Sequence, residues 1–285
     1  TYERNHILTG NLLHSWQNNV VVSGYSSFAY ANTGIQNYEH PSPDMNELSL
    51  SLLPNGSISS AEEIAPSQFS ALTLDTHLLV YGLDLWLAAT LQGDTVITHG
   101  DYSGYENGLP WASGAYATNY GFEHNHRVYG VTKQEIDNHI VNFGTAGYVV
   151  PQSISSWPAH GDVSVGQNAC LAPFIDVNAD GVYNPGQGDY PQIRGDKALY
   201  VIANETHERD ATLAQPLHVE VHAMYYVFDA PSTHLQHTVF ANYRMVNRGS
   251  ATLHDVRVGL SYDFDLGFPQ DDFLGCDTLL DLCFA

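Results

Sequence analysis

Positive charge is the scarcest thing in this chain. Nine Lys plus Arg stand against 31 Asp plus Glu in 285 residues, a formal net charge of −22. Binding to nucleic acid needs clustered Lys and Arg to neutralise phosphates, so that class of partner is excluded, and docking on anionic lipid with it. Long apolar runs are missing as well. No stretch approaches the ~18 to 20 residues that span a bilayer, so membrane insertion is not expected. Cysteine is sparse: Cys170, Cys276 and Cys283 form no CxxC or CxxCH pattern, which removes zinc-ribbon and c-type haem readings. Cys276 and Cys283 either bridge across a hairpin, if the compartment is oxidising, or stay as thiols. A GxSxG elbow, a Walker loop and a GxGxxG turn after a strand are all absent. The common hydrolase, nucleotide and dinucleotide chemistries therefore have nothing to stand on.

Strand signals dominate what is present. The runs "ALYVIAN", "LHVEVHAMYYVF", "LQHTVFANYRMVN" and "TLHDVRVGLSYDFD" after Ala198 are long and rich in β-branched and aromatic residues. In the third, Val239, Ala241, Tyr243 and Met245 alternate with Thr238, Asn242 and Arg244, the period of two of a half-buried strand. "NRGS" (Asn247 to Ser250) reads as a turn between neighbouring strands. "HLLVYGLDLWLAATLQGDTVITHG" reads as a hairpin about Gly93-Asp94. One short surface helix is expected near 132–143. Thr132 and Glu135 form a capping box there, Ile136, His139, Ile140 and Phe143 share a face, and Gly144 supplies the stop. The fold class expected is all-β: antiparallel β-sandwich domains with long calcium-stabilised loops. The division expected is a β-rich region over 1–112, with an extended strand arm, and a sandwich domain over 113–285. Thr1 opens directly on polar sequence, as a processed chain does, and "GCDTLLDLCFA" stops amid apolar residues, so a polypeptide continuing past Ala285 is expected.

The stretch "DVNADGVYNPGQGDYP" (Asp176 to Pro191) carries the clearest chemistry. Hard cations such as calcium take six to eight oxygens at ~2.3 to 2.6 Å, and a tight loop presents them from alternate positions. Asp176, Asn178 and Asp180 fill positions one, three and five. Gly181 permits the sharp turn, and Val182 offers its carbonyl at position seven. Position twelve is Gln187 rather than an acid; Asp189, two residues later, is expected to close the shell. The flanking "LAPFI" and "YPQIRG" are not helical, so the loop reads as a calcium site on a β framework. Its alternative is an acidic Asx-turn loop without metal. A second acidic group, Asp263, Asp265, Asp271, Asp272 and Asp277, is a further candidate, against the alternative of a solvated rim.

Other residues support rival readings. His218, Glu220 and His222 fall on one face of a strand, the arrangement of a transition-metal hydrolase site without an identifiable fourth ligand. Trp86, Trp111 and Trp157 are the candidates for a carbohydrate-binding module or a secreted glycan-degrading enzyme, with core packing as their alternative. Asn55-Gly-Ser and Asn204-Glu-Thr match the glycan acceptor triplet.

The segments "HRVYGVTKQEIDNHI", "GYVVPQSISSWPAHGD", "LAPFIDVNADGVYNPGQGDYPQIRGDKALYVI", "VEVHAMYYVFD" and "GLSYDFDLGFPQDDFLGCD" together resemble a group of large secreted bacterial surface proteins. These are exported by the type IX secretion system and carry a sorting domain at a distant C-terminus. The resemblance runs from His126 to Asp277. It implies an extracellular or cell-surface location, β-rich domains and calcium-type loops. It extends to both acidic loops, with Asp189 as the late aspartate of the first, and it implies no catalytic set. The expectation is a non-enzymatic structural or adhesive protein using Ca2+, partnered by copies of itself or by other surface proteins and glycans. "NNVVVSGYSSFAYANTG" (Asn18 to Gly34) is its candidate strand for addition to a neighbour's sheet edge, building a fibre.

Overall fold

The structure is a computed structural model. It describes residues 6–16, 21–29, 48–50, 52, 58–59, 72–74, 77–99, 111–118, 128–205, 216–230, 235, 238–264, 272–280 and 282–284. For 6–16, 21–29, 48–50, 58–59, 72–74, 77–82, 96–99 and 263 it describes the backbone alone.

The regular structure of the described chain is mostly antiparallel strands. In chain order these are β1 (His6–Trp16), β2 (Val21–Ala29), β3 (Leu48–Leu50), β4 (Ile58–Ser59), β5 (Leu72–Leu74), β6 (His77–Leu91), β7 (Asp94–His99), β8 (Ala112–Ser113) and β9 (Tyr129–Thr132). After helices α1 (Lys133–Asn142) and α2 (Gln152–Ser155) come β10 (Phe174–Ile175), β11 (Tyr190–Pro191), β12 (Lys197–Asn204), β13 (Val219–Val227), β14 (Thr238–Asn247), β15 (Leu253–Phe264), β16 (Gly275–Asp277) and β17 (Leu282–Phe284). A seven-stranded sheet runs β1-β15-β6-β5-β3, with β4 and β7 also pairing β6. A six-stranded sheet runs β2-β14-β13-β12-β8, with β9 also pairing β12.

The all-β class expected from sequence is what the chain adopts. The expected boundary at 112/113 does not separate the sheets. β15 lies between β1 and β6, and β2 pairs with β14, so strands from both halves share each sheet. The candidate addition strand is this β2, an end strand of its own sheet's path. The turn after Asn247 likewise joins β14 in one sheet to β15 in the other, rather than two neighbours. The hairpin after β6 turns on Gln92 and Gly93, both with positive φ, while Asp94 already pairs with Leu91. Two positive φ values in a two-residue turn match the right-handed twist of the strands it joins.

Strands β12 and β13 are buried at every position. Their odd-numbered residues, among them Leu199, Val201, Val221 and Tyr225, join Leu83, Leu85, Leu87, Leu253 and Val256 of the other sheet in one apolar cluster. On the opposite face Ala198, Tyr200, Ile202, Met224 and Tyr226 pack with Ile136, Ile154, Trp157 and Leu171 from the segment between β9 and β12. Both faces of the pair are therefore covered, and "ALYVIAN" accordingly reads as a continuous apolar run. β14 keeps the expected alternation, with Val239, Ala241, Tyr243 and Met245 buried in the shared cluster.

The cover over Tyr200 and Ile202 has little regular structure, and side-chain hydrogen bonds fasten it. Helix α1 starts on the expected capping box: Glu135 N donates to Thr132 Oγ1 at 3.1 Å, and Thr132 N donates to Glu135 Oε2 at 2.8 Å. The second carboxylate oxygen of Glu135 accepts from Ser153 Oγ at 2.7 Å, tying α1 to α2. Only Ile136 and His139 of the predicted apolar face are buried; Ile140 and Phe143 are exposed. Gly144 is not among the left-handed glycines, and the first positive φ after the helix falls at Gly147.

Candidate functional site

The loop from Asp176 to Asp189 lies between β10 and β11, which pair with each other and close its neck. Its curvature comes from carboxylates accepting backbone N–H groups. Asp176 Oδ2 accepts from Gly181 N at 2.7 Å and its Oδ1 from Asp180 N at 3.3 Å. Asp180 Oδ1 accepts from Val182 N at 2.8 Å, and Asn178 Oδ1 from Asp180 N at 3.1 Å. Gly181, at φ +80°, takes a left-handed conformation that a side chain would strain, although the space beside it is open. The neighbouring Ala179 adopts φ 59° without that freedom, at a cost of about 1–2 kcal/mol.

Asp189 behaves differently from the other acids. It is fully buried, and its two oxygens accept from opposite limbs of the loop: Oδ1 from Val177 N at 2.9 Å and Oδ2 from Asn184 N at 2.7 Å. A charged acceptor with two backbone donors is strongly held, and each bond of this kind contributes about 1.5–3 kcal/mol. Helix α1 backs the same point. The Nε2 of buried His139 lies 3.1 Å from the Asp189 carbonyl, so that nitrogen carries the proton, and Nδ1 accepts from the Tyr148 hydroxyl at 3.2 Å. The ring of Phe143 lies against Gly188, where an added Cβ would meet it at 3.0 Å. A second histidine holds the middle of the loop. His160 Nε2 accepts from Tyr183 N at 2.9 Å while Nδ1 donates to Ala169 O at 2.8 Å.

The carboxylates of Asp176 and Asp180, the amide of Asn178 and the backbone of Val182 are oxygen donors of the kind a hard cation takes, with Asp176 half-buried and the other three residues exposed. Among the described residues no three His, Cys, Asp or Glu side chains form a group able to hold a metal. An ion here would draw on Asn178 and main-chain oxygens besides its aspartates. As it stands, Asn178 Nδ2 donates to Asp180 Oδ2 at 2.9 Å and to Gln187 Oε1 at 2.5 Å, bridging the mouth of the loop.

The second acidic group is described only in part. Asp263 lies on β15, where only the backbone is described, and Asp265 and Asp271 lie outside the described residues. Asp272 is half-buried before β16. Asp277 turns its Oδ1 to Leu279 N at 2.9 Å and Leu280 N at 3.2 Å, shaping the turn between β16 and β17.

The histidine face takes another form. His218 precedes β13 with φ 57°, out of the strand conformation. Glu220 and His222 are buried on the strand and bonded to each other at 2.9 Å, and His222 Nδ1 meets the Tyr200 hydroxyl at 2.8 Å. Around them Tyr116 N donates to Glu220 Oε2 at 2.7 Å, Arg248 Nη2 to Gly166 O at 2.9 Å and Arg244 Nη1 to Leu171 O at 3.1 Å. The result is a polar seam that pins residues 166–171 to the sheet. Nothing in the sequence pattern connects Tyr200 or Arg248 to these histidines, because cross-strand neighbours are far apart along the chain. The tryptophans expected for glycan binding divide similarly. Trp111 and Trp157 are core residues whose Nε1 atoms donate to Leu85 O and Pro173 O, both at 2.9 Å. Trp86 is half-buried. Asn204 is buried and donates to Gly114 O, so it is not a glycan acceptor in this fold.

Compared with protein-family models, with curated proteins and with solved structures, the chain matches none.

Two outcomes follow from this geometry. Asp189→Asn replaces one acceptor oxygen by an N–H2 facing a backbone donor, and is expected to lower unfolding free energy by about 1–3 kcal/mol in urea titrations, with protease cleavage appearing within 176–189. Burial pushes the Glu220 carboxyl up, but His222, Tyr116 N–H and Arg248 outweigh it and hold it below the usual carboxylate range. A lowered folded value means that the unfolded chain takes up the proton first as pH falls. The stabilisation is thus full above the ordinary carboxylate range and lost as pH drops through the lowered value. The stability gap between the native chain and Glu220→Gln, measured by urea unfolding across pH, is expected to shrink on acidification.

Proposed function

We propose that this chain is a non-enzymatic structural or adhesive protein of the extracellular space or bacterial cell surface, with Ca2+ bound at the Asp176–Asp189 loop. The single observation supporting it is the division of labour in that loop. Asp189 is fully buried and ties Val177 N and Asn184 N across the two limbs, while half-buried Asp176 and exposed Asn178 and Asp180 accept from backbone within the turn itself. Asp176, Asn178 and Asp180 would hold the ion with the Val182 carbonyl, and Asp189 would fix the limbs that carry them. The ion supplies a charge that two neighbouring carboxylates otherwise lack, and so rigidifies the turn. A net charge of −22 favours recruitment of divalent cations and fits an extracellular surface. Export by the type IX route and a sandwich arrangement of the two sheets belong to the same reading. The first rests on the segments His126 to Asp277, the second on the apolar cluster common to both sheets.

Self-association is part of this reading. β2 is an end strand of its sheet's path, and an end strand is the element that exchanges between copies at least cost. Exchange onto the next copy's β14 repeats head to tail and builds a fibre.

Calcium is expected to raise the thermal midpoint of metal-stripped protein. A free concentration one hundred times Kd is worth about 2.7 kcal/mol. Asp176→Asn with Asp180→Asn should abolish the shift, and an unchanged midpoint in the native chain would remove the ion from the account. For assembly, Ser26→Cys and Ala241→Cys mark a paired register position, in a background with the native cysteines replaced by Ser. Oxidised cross-links between differently tagged copies are expected; links confined to single chains would reject strand exchange.

A further inference from the structure

The β16–β17 hairpin pairs with neither large sheet and forms a two-stranded unit, three residues to a strand. Leu279, Leu280, Leu282 and Phe284 are exposed on it, so little apolar burial holds it in shape. A two-stranded hairpin of this length is marginal in water without further support.

Its register is nevertheless well defined. Gly275 pairs with Phe284, and the Phe284 ring lies over the glycine, where an added Cβ would meet Cζ at 2.4 Å. At the turn, Asp277 Oδ1 accepts from Leu279 N and Leu280 N. Between these two fixed ends, Cys276 stands directly opposite Cys283, both as thiols. Directly opposed residues on antiparallel strands have Cα atoms about 4.5 or 5.5 Å apart, depending on the pair type. Both values fall inside the ~4.4 to 6.8 Å window of a disulfide. Cys276 is exposed and open to reagents, whereas Cys283 is half-buried beside it. Cys170, the third thiol, belongs to the cover over the other sheet.

We propose that Cys276 and Cys283 are a disulfide site, a covalent staple that closes the β16–β17 hairpin under oxidising conditions. A low-molecular-weight disulfide, RSSR, is the oxidant. The Cys276 thiolate attacks it, forming a Cys276–SR mixed disulfide and releasing one RS−. The Cys283 thiol then loses its proton and attacks the Cys276 sulfur, displacing the second RS−. The protein loses two electrons and two protons, and RSSR becomes two RSH. Burial and the neighbouring Cys276 push the Cys283 thiol up to about 11, which makes the exposed cysteine the one that meets the oxidant. The staple does not depend on calcium at the other loop.

The test is incubation of the full native chain with oxidised glutathione. Free thiols are expected to fall from three to one, and proteolytic fragments containing Cys276 and Cys283 should be joined to each other. Cys170→Ser should keep the bridge. Cys276→Ser should give no internal link. Amide exchange over 273–284 should slow roughly tenfold or more on oxidation of the native chain but not of Cys276→Ser. Three thiols surviving, stable glutathione adducts on both hairpin cysteines, or a bridge involving Cys170 would each overturn the proposal.

Discussion

A buried carboxylate with two backbone partners is the constraint on which this molecule's outer layer depends. Strands β12 and β13 are apolar on both faces, so the sheet containing them needs a cover on the side away from the shared cluster. The chain between β9 and β12 provides it with short helices, the two-residue pair β10–β11 and irregular connections. Such a layer buries Trp157, Ile154 and Leu171 but cannot satisfy its own backbone groups through a sheet. Asp189 meets part of that requirement by accepting from Val177 and Asn184 at once, and α1 reaches its carbonyl through His139. The loop at the surface is therefore set by what lies beneath it.

The same requirement explains the seam of Glu220, His222 and Tyr200. Charged and polar groups inside a protein are costly unless every partner is supplied. Here the sheet contributes a carboxylate, an imidazole and a phenol, the stretch after β8 contributes the Tyr116 N–H, and the cover contributes the carbonyls of Gly166 and Leu171. Two arginines among only nine basic residues are committed to this junction, Arg244 and Arg248. In so acidic a chain, that allocation makes the contact between sheet and cover one place where scarce positive charge is used.

Local patterns were legible in the sequence wherever one residue's neighbours decide its structure. The alternation in β14 and the capping box at Thr132 and Glu135 appear as expected, and the hairpin after β6 appears with its turn one residue earlier, on Gln92 and Gly93. The loop residues Asp176, Asn178 and Asp180 do cluster, because their spacing of two directs them to one another's backbone. Asp189 reads from spacing as the residue that closes an ion's shell, yet its inward orientation depends on Val177 and Asn184 being brought together by the β10–β11 neck. Nor does any local signal place β15 between β1 and β6, since pairing over that distance is decided by the shared core. A period of two puts His218 on one face with Glu220 and His222, but its left-handed backbone takes it out of the strand.

In this reading the ion sits on a platform that folding has already built, and the surface properties of the chain follow from how firmly that platform is held. Residue-resolved amide exchange by NMR on the metal-free chain tests this most directly. The account predicts that the Val177 and Asn184 amides are protected to the level of β12 and β13, while Val182, bonded to an exposed carboxylate, exchanges much faster. Val177 and Asn184 exchanging at the rate of Val182 would contradict it.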